Sequence, residues 1–158
     1  LQLKPIASHR ASDDKTALTL ATFLPYRLNV AASRASDGLA RIYGERFGIG
    51  ISEWRVLATL GEFGSVTATA IGAHAHMGKV KVSRAAATLE ARGLLSRTPN
   101  AEDRREAFLV LTPEGRVLYE EIVPLAQDYA ARLIAGLSTD EVATLHRLLD
   151  RLESQPTG

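Results

Sequence analysis

Within one short run, Lys79, Lys81, Val82, Ser83 and Arg84 carry side chains suited to a DNA groove. Lysine and arginine reach phosphate oxygens or the O6 and N7 acceptors of guanine. Serine serves either, and a valine methyl packs on a thymine methyl. Further along, Asn100-Ala101-Glu102-Asp103-Arg104-Arg105-Glu106 forms a polar, doubly basic turn between two apolar runs. Arg104 and Arg105 supply the cation that a narrow minor groove attracts. Asp103 is placed to pair with one of them and orient it. Each cluster alone reads equally well as a solvated surface, and an exposed ion pair adds little stability. Their weight comes from the elements around them.

Other chemistry finds no support. His74 and His76 stand at i and i+2, which do not share a helix face, and no nearby carboxylate or thiolate completes a metal set. Asp13-Asp14 and Glu120-Glu121 are adjacent pairs that read as solvated. There is no Ser/His/Asp arrangement, phosphate-binding loop or dinucleotide fingerprint. No catalytic residue, metal or cofactor is therefore expected, and an enzyme with a helical core is the weakest rival.

The elements that must position the basic clusters follow from apolar spacing and punctuation. Leu24, Leu28, Ala31, Ala35, Leu39 and Ile42 recur at helical spacing, with Pro25 in the first turn and Gly48 and Gly50 closing the helix. Ser52 is the expected N-cap of a second helix that buries Val56, Leu57, Leu60 and Phe63 and stops at Gly64. Thr67 caps a short third helix over 68–75, His76-Met77-Gly78 is the turn, and a fourth helix runs from Lys79 to Arg92. Its inward residues are Val82, Ala85, Ala86 and Leu89, and Gly93 is its left-handed terminator. Strands over 94–98 and 107–111 flank the basic turn. Thr112 then caps a fifth helix, with Pro113 at its first position and Pro124 inside it. Ser138-Thr139-Asp140-Glu141 is a capping box opening a sixth. The last stripe is Val142, Leu145, Leu148, Leu149 and Leu152.

Two short helices followed by a hairpin with arginines at its tip describe a winged helix-turn-helix. The expected fold class is mainly α with a small β-hairpin wing. A recognition helix enters the major groove N-terminal end first, so double-stranded DNA is the implied partner. Thr67 and Thr69, at the start of the third helix, complete the candidate DNA-contacting set.

Composition agrees. The chain has 158 residues, 46% hydrophobic and 23% charged, enough for one domain with a real core. Net charge is only +1, but it is unevenly distributed. Residues 79–106 hold seven basic and four acidic side chains, whereas residues 112–158 hold four and eight. The absence of cysteine excludes a disulfide framework, a thiolate zinc site and a thiol redox sensor. Residues 1–15 have no apolar stretch of signal-peptide type, and no run approaches a membrane span. A cytoplasmic protein is the expectation.

The run ARGLLSR, then Asn-Ala-Glu-Asp-Arg-Arg, then LVLTPEG resembles the MarR family of bacterial transcriptional regulators, and the likeness extends from about Phe23 to Leu152. The segment from Lys79 to Arg84 is similar to that family's recognition-helix start. The resemblance implies an obligate homodimer joined through its terminal helices, acting on a pseudo-palindromic operator and answering to a small molecule. It partitions the chain into a tail (1–16), a dimerisation helix (17–50), the winged lobe (51–111) and C-terminal dimerisation helices (112–154). It places an effector crevice at Tyr26, Asn29, Ser33, Arg34, Trp54 and Arg55. There a tryptophan offers a flat apolar wall and an arginine a carboxylate partner. The implied function is a repressor released from DNA by a small aromatic acid or its CoA thioester. The alternative is a winged-helix DNA-binding protein without an effector.

Overall fold

Helix α1 (Leu24–Phe47) has Pro25 in its first turn, where the missing N–H is one of the helix's unpaired donors anyway, and ends before Gly48 at φ +62°. The computed structural model describes residues 18–101 and 106–155. Contacts divide the chain into a unit ending at Arg34 and a unit beginning at Ala35, so α1 contributes to both. In the first unit Leu18, Leu20, Phe23, Leu24, Tyr26 and Leu28 are all exposed.

The second unit holds the core. Helix α2 (Ile51–Phe63) starts at Gly50, whose carbonyl accepts from Trp54 N at 2.9 Å. Ser52, the expected cap, instead lies in the first turn. Ile49, in the connection from α1 to α2, is buried, and the helix begins at Ile51, two residues earlier than the Ser52 cap implies. Val56, Leu57 and Leu60 are fully buried as expected, but Phe63 is exposed. Thr59 is the buried polar residue among those described, and its hydroxyl donates to Arg55 O at 2.8 Å.

A strand the sequence reading missed follows: β1 (Val66–Thr67). Thr67 Oγ1 also accepts from Ala70 N at 3.2 Å, capping α3 (Ala68–His74). Helix α4 (Lys79–Ala91) ends at Arg92, with Gly93 at φ +70°. Strands β2 (Leu95–Pro99) and β3 (Ala107–Leu111) pair antiparallel from Leu95↔Leu111 to Pro99↔Ala107. Strand β1 adds to the other edge of β3 through Val66↔Leu109 and Thr67↔Phe108, giving the order β1-β3-β2. The wing is therefore rooted in a three-stranded sheet rather than an isolated hairpin.

Helix α5 (Pro113–Leu133) is capped by Thr112, whose Oγ1 accepts from Gly115 N at 3.0 Å and donates to Gly93 O at 2.7 Å. A Cβ on Gly115 would lie 1.9 Å from Leu94 O, so only glycine lets α5 start against the chain entering β2. Pro124 lies inside α5, which continues through it. Helix α6 (Thr139–Glu153) opens with the expected capping box: Ser138 N donates to Glu141 Oε2 at 2.7 Å and Glu141 N to Ser138 Oγ at 3.3 Å. Leu145, Leu148 and Leu152 stay exposed within the single chain. Among the described residues no helix is long and apolar enough to cross a membrane.

The core is one cluster. It joins Tyr43 of α1, the buried face of α2, Ile71, Met77, the inner face of α4, Leu94, Leu95, Leu109 and Ile122. It lies directly behind α4, which holds the outer face of that helix in a fixed orientation.

Candidate nucleic-acid interface

The helix-turn-helix is shaped by a turn that folds back on α3. Ala75 N donates to Ile71 O at 2.8 Å and Met77 N to Gly72 O at 2.9 Å. His76 adopts φ 49°, the one positive value at a non-glycine position among the described residues. Met77 is buried, which pins the turn, and Gly78 then caps α4. A Cβ on Gly72 would stand 3.0 Å from Met77 O, so this close return favours glycine.

Helix α4 is sharply two-faced. Val82, Ala85, Ala86 and Leu89 are buried, while Lys79, Val80, Lys81, Ser83 and Arg84 are exposed. Four of the five residues singled out in this helix are thus on the outer face. Val82 is not: it is 0% exposed and packs in the core, so its methyls are unavailable to a thymine. The periodicity that marks Val82 as inward excludes it as a groove contact. The exposed valine is Val80.

Thr67 is half-buried, with its hydroxyl committed to the α3 cap, whereas Thr69 is exposed. Thr69 Oγ1 donates to Glu106 Oε1, tying α3 to the base of the wing. Sequence reasoning missed this contact, because nothing local relates positions 37 apart. On the other side, Arg97 Nε of β2 donates to Glu90 Oε2 of α4 at 3.0 Å, so wing and α4 are bridged directly. Between α3, the start of α4 and the wing lies a cleft of about 650 Å³ lined by Thr69, Gly72, Lys79, Arg97 and Glu106, among others. Asp103, Arg104 and Arg105 lie outside the described residues.

Behind this face is an aromatic stack. Trp54 is half-buried, its ring 5.7 Å from Tyr43 and stacked at 6.2 Å on Tyr119. Tyr119 presses on α2 so closely that a Cβ on Gly61 would meet its ring at 2.3 Å. Arg116 donates to Gly61 O at 3.2 Å and lies over the Tyr119 ring. Burial pushes the Tyr43 hydroxyl up to about 12, partly opposed by the Arg55 cation. Arg55 is exposed. Trp54 and Arg55 edge an open hollow of about 320 Å³ shared with Ala58, Glu62, Phe63 and His74, with His74 stacked on Phe63 at 4.3 Å. Of the other effector candidates, Tyr26, Asn29, Ser33 and Arg34 are all exposed on the first unit. Tyr26, Asn29 and Ser33 share one face of α1 by their i, i+3, i+7 spacing.

A core-backed helix with a cationic, outward-facing N-terminal turn, joined to a sheet-rooted wing, defines a winged helix-turn-helix DNA-binding protein. Comparison with known proteins gives the family. The MarR family profile matches residues 47–106. The uncharacterised HTH-type transcriptional regulator YwoH of Bacillus subtilis is 32% identical over 97 residues, covering 61% of this chain and 70% of that protein. The HTH-type transcriptional repressor MdtR of the same organism is 32% identical over 98 residues; the match covers 62% of this chain and 63% of MdtR. Among solved structures, a cysteine-to-serine mutant of Escherichia coli MarR complexed with operator DNA superposes with a TM-score of 0.74 at 25% identity, covering 82% of this chain and 92% of that one. The chain belongs to the MarR family of transcriptional regulators.

Proposed function

We propose that this protein is a homodimeric repressor that binds a pseudo-palindromic operator and is released by a small aromatic ligand, an aromatic acid or its CoA thioester. The observation that carries the DNA reading is the outer side of α4, where Lys79, Lys81, Ser83 and Arg84 are exposed while Val82, Ala85, Ala86 and Leu89 are buried. The operator complex of the E. coli relative supports DNA as partner, and the name of MdtR supports repression. Arg104 and Arg105, oriented by Asp103, are assigned to the minor groove beside α4. The protein works in the cytoplasm.

Dimerisation rests on unburied apolar residues near both ends of the chain. Leu18, Leu20, Phe23, Leu24 and Leu28 are exposed in the first unit; Leu133, Leu137, Leu145, Leu148 and Leu152 are exposed on and between α5 and α6. Solvent-exposed leucines at helical spacing are the mark of an interface rather than of a finished surface. In this partition residues 17–50 and 112–154 join the subunits and residues 51–111 read DNA. An obligate interface of this kind buries above ~2,000 Å². Two-fold symmetry then sets two recognition helices about 10 base pairs apart.

For the effector, the support is the hollow edged by Trp54 and Arg55, an aromatic wall beside a cation. The packing of Trp54 between Tyr43 and Tyr119 favours the second reading, a DNA-binding protein without an effector, in which Trp54 is purely structural. The deciding experiment is titration of a selected operator duplex at two salt concentrations with wild type, Lys81→Ala and Arg84→Ala, alongside light scattering. Steeply salt-dependent binding by a dimer, weakened by roughly 1–3 kcal/mol in Arg84→Ala, is expected. A stable folded monomer, or unchanged binding in both variants, overturns the reading.

A further inference from the structure

We propose that Val80 is the apolar reader of this interface, and that it packs on the 5-methyl group of a thymine in each half-site. The inference rests on the proposed entry of α4 into the major groove and adds to it a residue that determines sequence.

On a helix of 3.6 residues per turn, Val80, Arg84, Ala87 and Ala91 form one stripe (i, i+4, i+7, i+11). All four are exposed. The stripe lies diametrically opposite the buried stripe of Val82, Ala85, Ala86 and Leu89. Val80 therefore occupies the apex of the outward face, one turn before Arg84. It is 64% exposed, among the most exposed large apolar side chains of the described residues, and Lys79 and Lys81 flank it.

A lone exposed valine on an ordinary surface needs no explanation. At the tip of a helix whose neighbours are all polar or cationic, it is the side chain that meets the floor of the groove first. The thymine methyl is the one apolar group that the bases present in the major groove. Phosphates and guanine edges are served by the flanking lysines and Arg84, and a valine offers them nothing. Its β-branch leaves χ1 stiff, so little side-chain freedom is lost on contact. Small Ala87 behind it leaves room for the groove wall to approach.

The test begins with a duplex selected by wild-type protein from a random-sequence pool. Each thymine is then replaced singly by deoxyuridine, which deletes only the methyl. One thymine per half-site should weaken wild-type binding roughly fourfold when demethylated, the worth of one buried methyl. In Val80→Ala that penalty should vanish, while the salt dependence of binding and the melting temperature stay as in wild type, because phosphate contacts and core are untouched. Val80→Thr, which keeps one methyl of the branch, should retain part of the penalty. A flat deoxyuridine scan in wild type overturns the assignment, as does a penalty that persists unchanged in Val80→Ala. If wild type selects no duplex at all, the DNA reading itself has failed. That result is distinct from either of those, and the assignment falls with it.

Discussion

Arg92, the C-cap residue of α4, donates from Nη1 to Gly48 O at 3.0 Å and from Nη2 to Phe47 O at 2.9 Å. One guanidinium thus satisfies the Phe47 carbonyl, which α1 leaves without an intrahelical partner at its C-terminus, and the Gly48 carbonyl just beyond it. The end of the proposed recognition helix is thereby fastened to the end of α1. Arg92→Ala should destabilise the protein by about 1.5 kcal/mol, the lower end for a charge-assisted pair because the side chain is exposed. Arg92→Lys should recover only part of the loss, since an ammonium cannot span two carbonyls as the planar fork does. Urea unfolding of the three proteins checks this, and equal midpoints would show that the contact carries no stability.

What the sequence revealed divides by range. The caps at Thr67, Thr112 and Ser138, the left-handed Gly93 and the inner face of α4 are set by neighbours within a turn or two, and each stands as read. Strand β1 was not legible, because two residues carry no alternation and Val66 finds Leu109 only through the tertiary fold. The Thr69–Glu106 and Arg92–Gly48 contacts are invisible for the same reason. Ser52 is a good capping residue by type, yet the extended backbone at Gly50 serves as the N-cap, and residue type alone does not mark that position. Val82 reads by residue type as a groove contact and by position as core, and the helical period allows only the second.

The close approach at Gly115 makes a sharper stability prediction. A methyl there would meet the Leu94 carbonyl, which is backbone and cannot rotate away. Gly115→Ala should cost about 3 kcal/mol, the upper end of ordinary overpacking, even though alanine is the better helix former. A melting temperature within a degree or two of wild type would mean that the α5 start shifts freely.

Tyr43 makes stability sensitive to alkaline pH. Its hydroxyl is raised from an ordinary 10 to about 12, chiefly by burial. Because the folded form holds the proton more tightly than the unfolded chain, the associated stability is complete below pH 10 and is lost as pH rises towards 12. Tyr43→Phe removes the titrating group. The stability gap between the two proteins should therefore shift in favour of the phenylalanine variant across that window and stay constant below it. Denaturant midpoints from pH 8 to 12 measure it, and parallel curves would contradict it.

Trp54 decides between the two functional readings. It is the one tryptophan in the chain, so its emission reports directly on its surroundings. Its ring packs against Tyr43 and Tyr119, and with Arg55 it edges the hollow. A bound aromatic acid should perturb that emission, and it can weaken operator binding only through a higher affinity for the DNA-incompetent arrangement. Coupling of about 1–3 kcal/mol, or roughly 5- to 150-fold, is the expected scale. Trp54→Ala leaves a void against the core and should cost stability. Trp54→Phe keeps the stack, and Arg55→Gln removes the cation without touching it. If the hollow is the effector site, Arg55→Gln should blunt the response to aromatic acids while leaving ligand-free operator affinity near wild type. Trp54→Phe should respond with altered potency. A full response in both variants would move the site elsewhere. If no aromatic acid or CoA thioester changes either emission or operator affinity in the wild type, Trp54 is a packing residue and the effector-free reading stands.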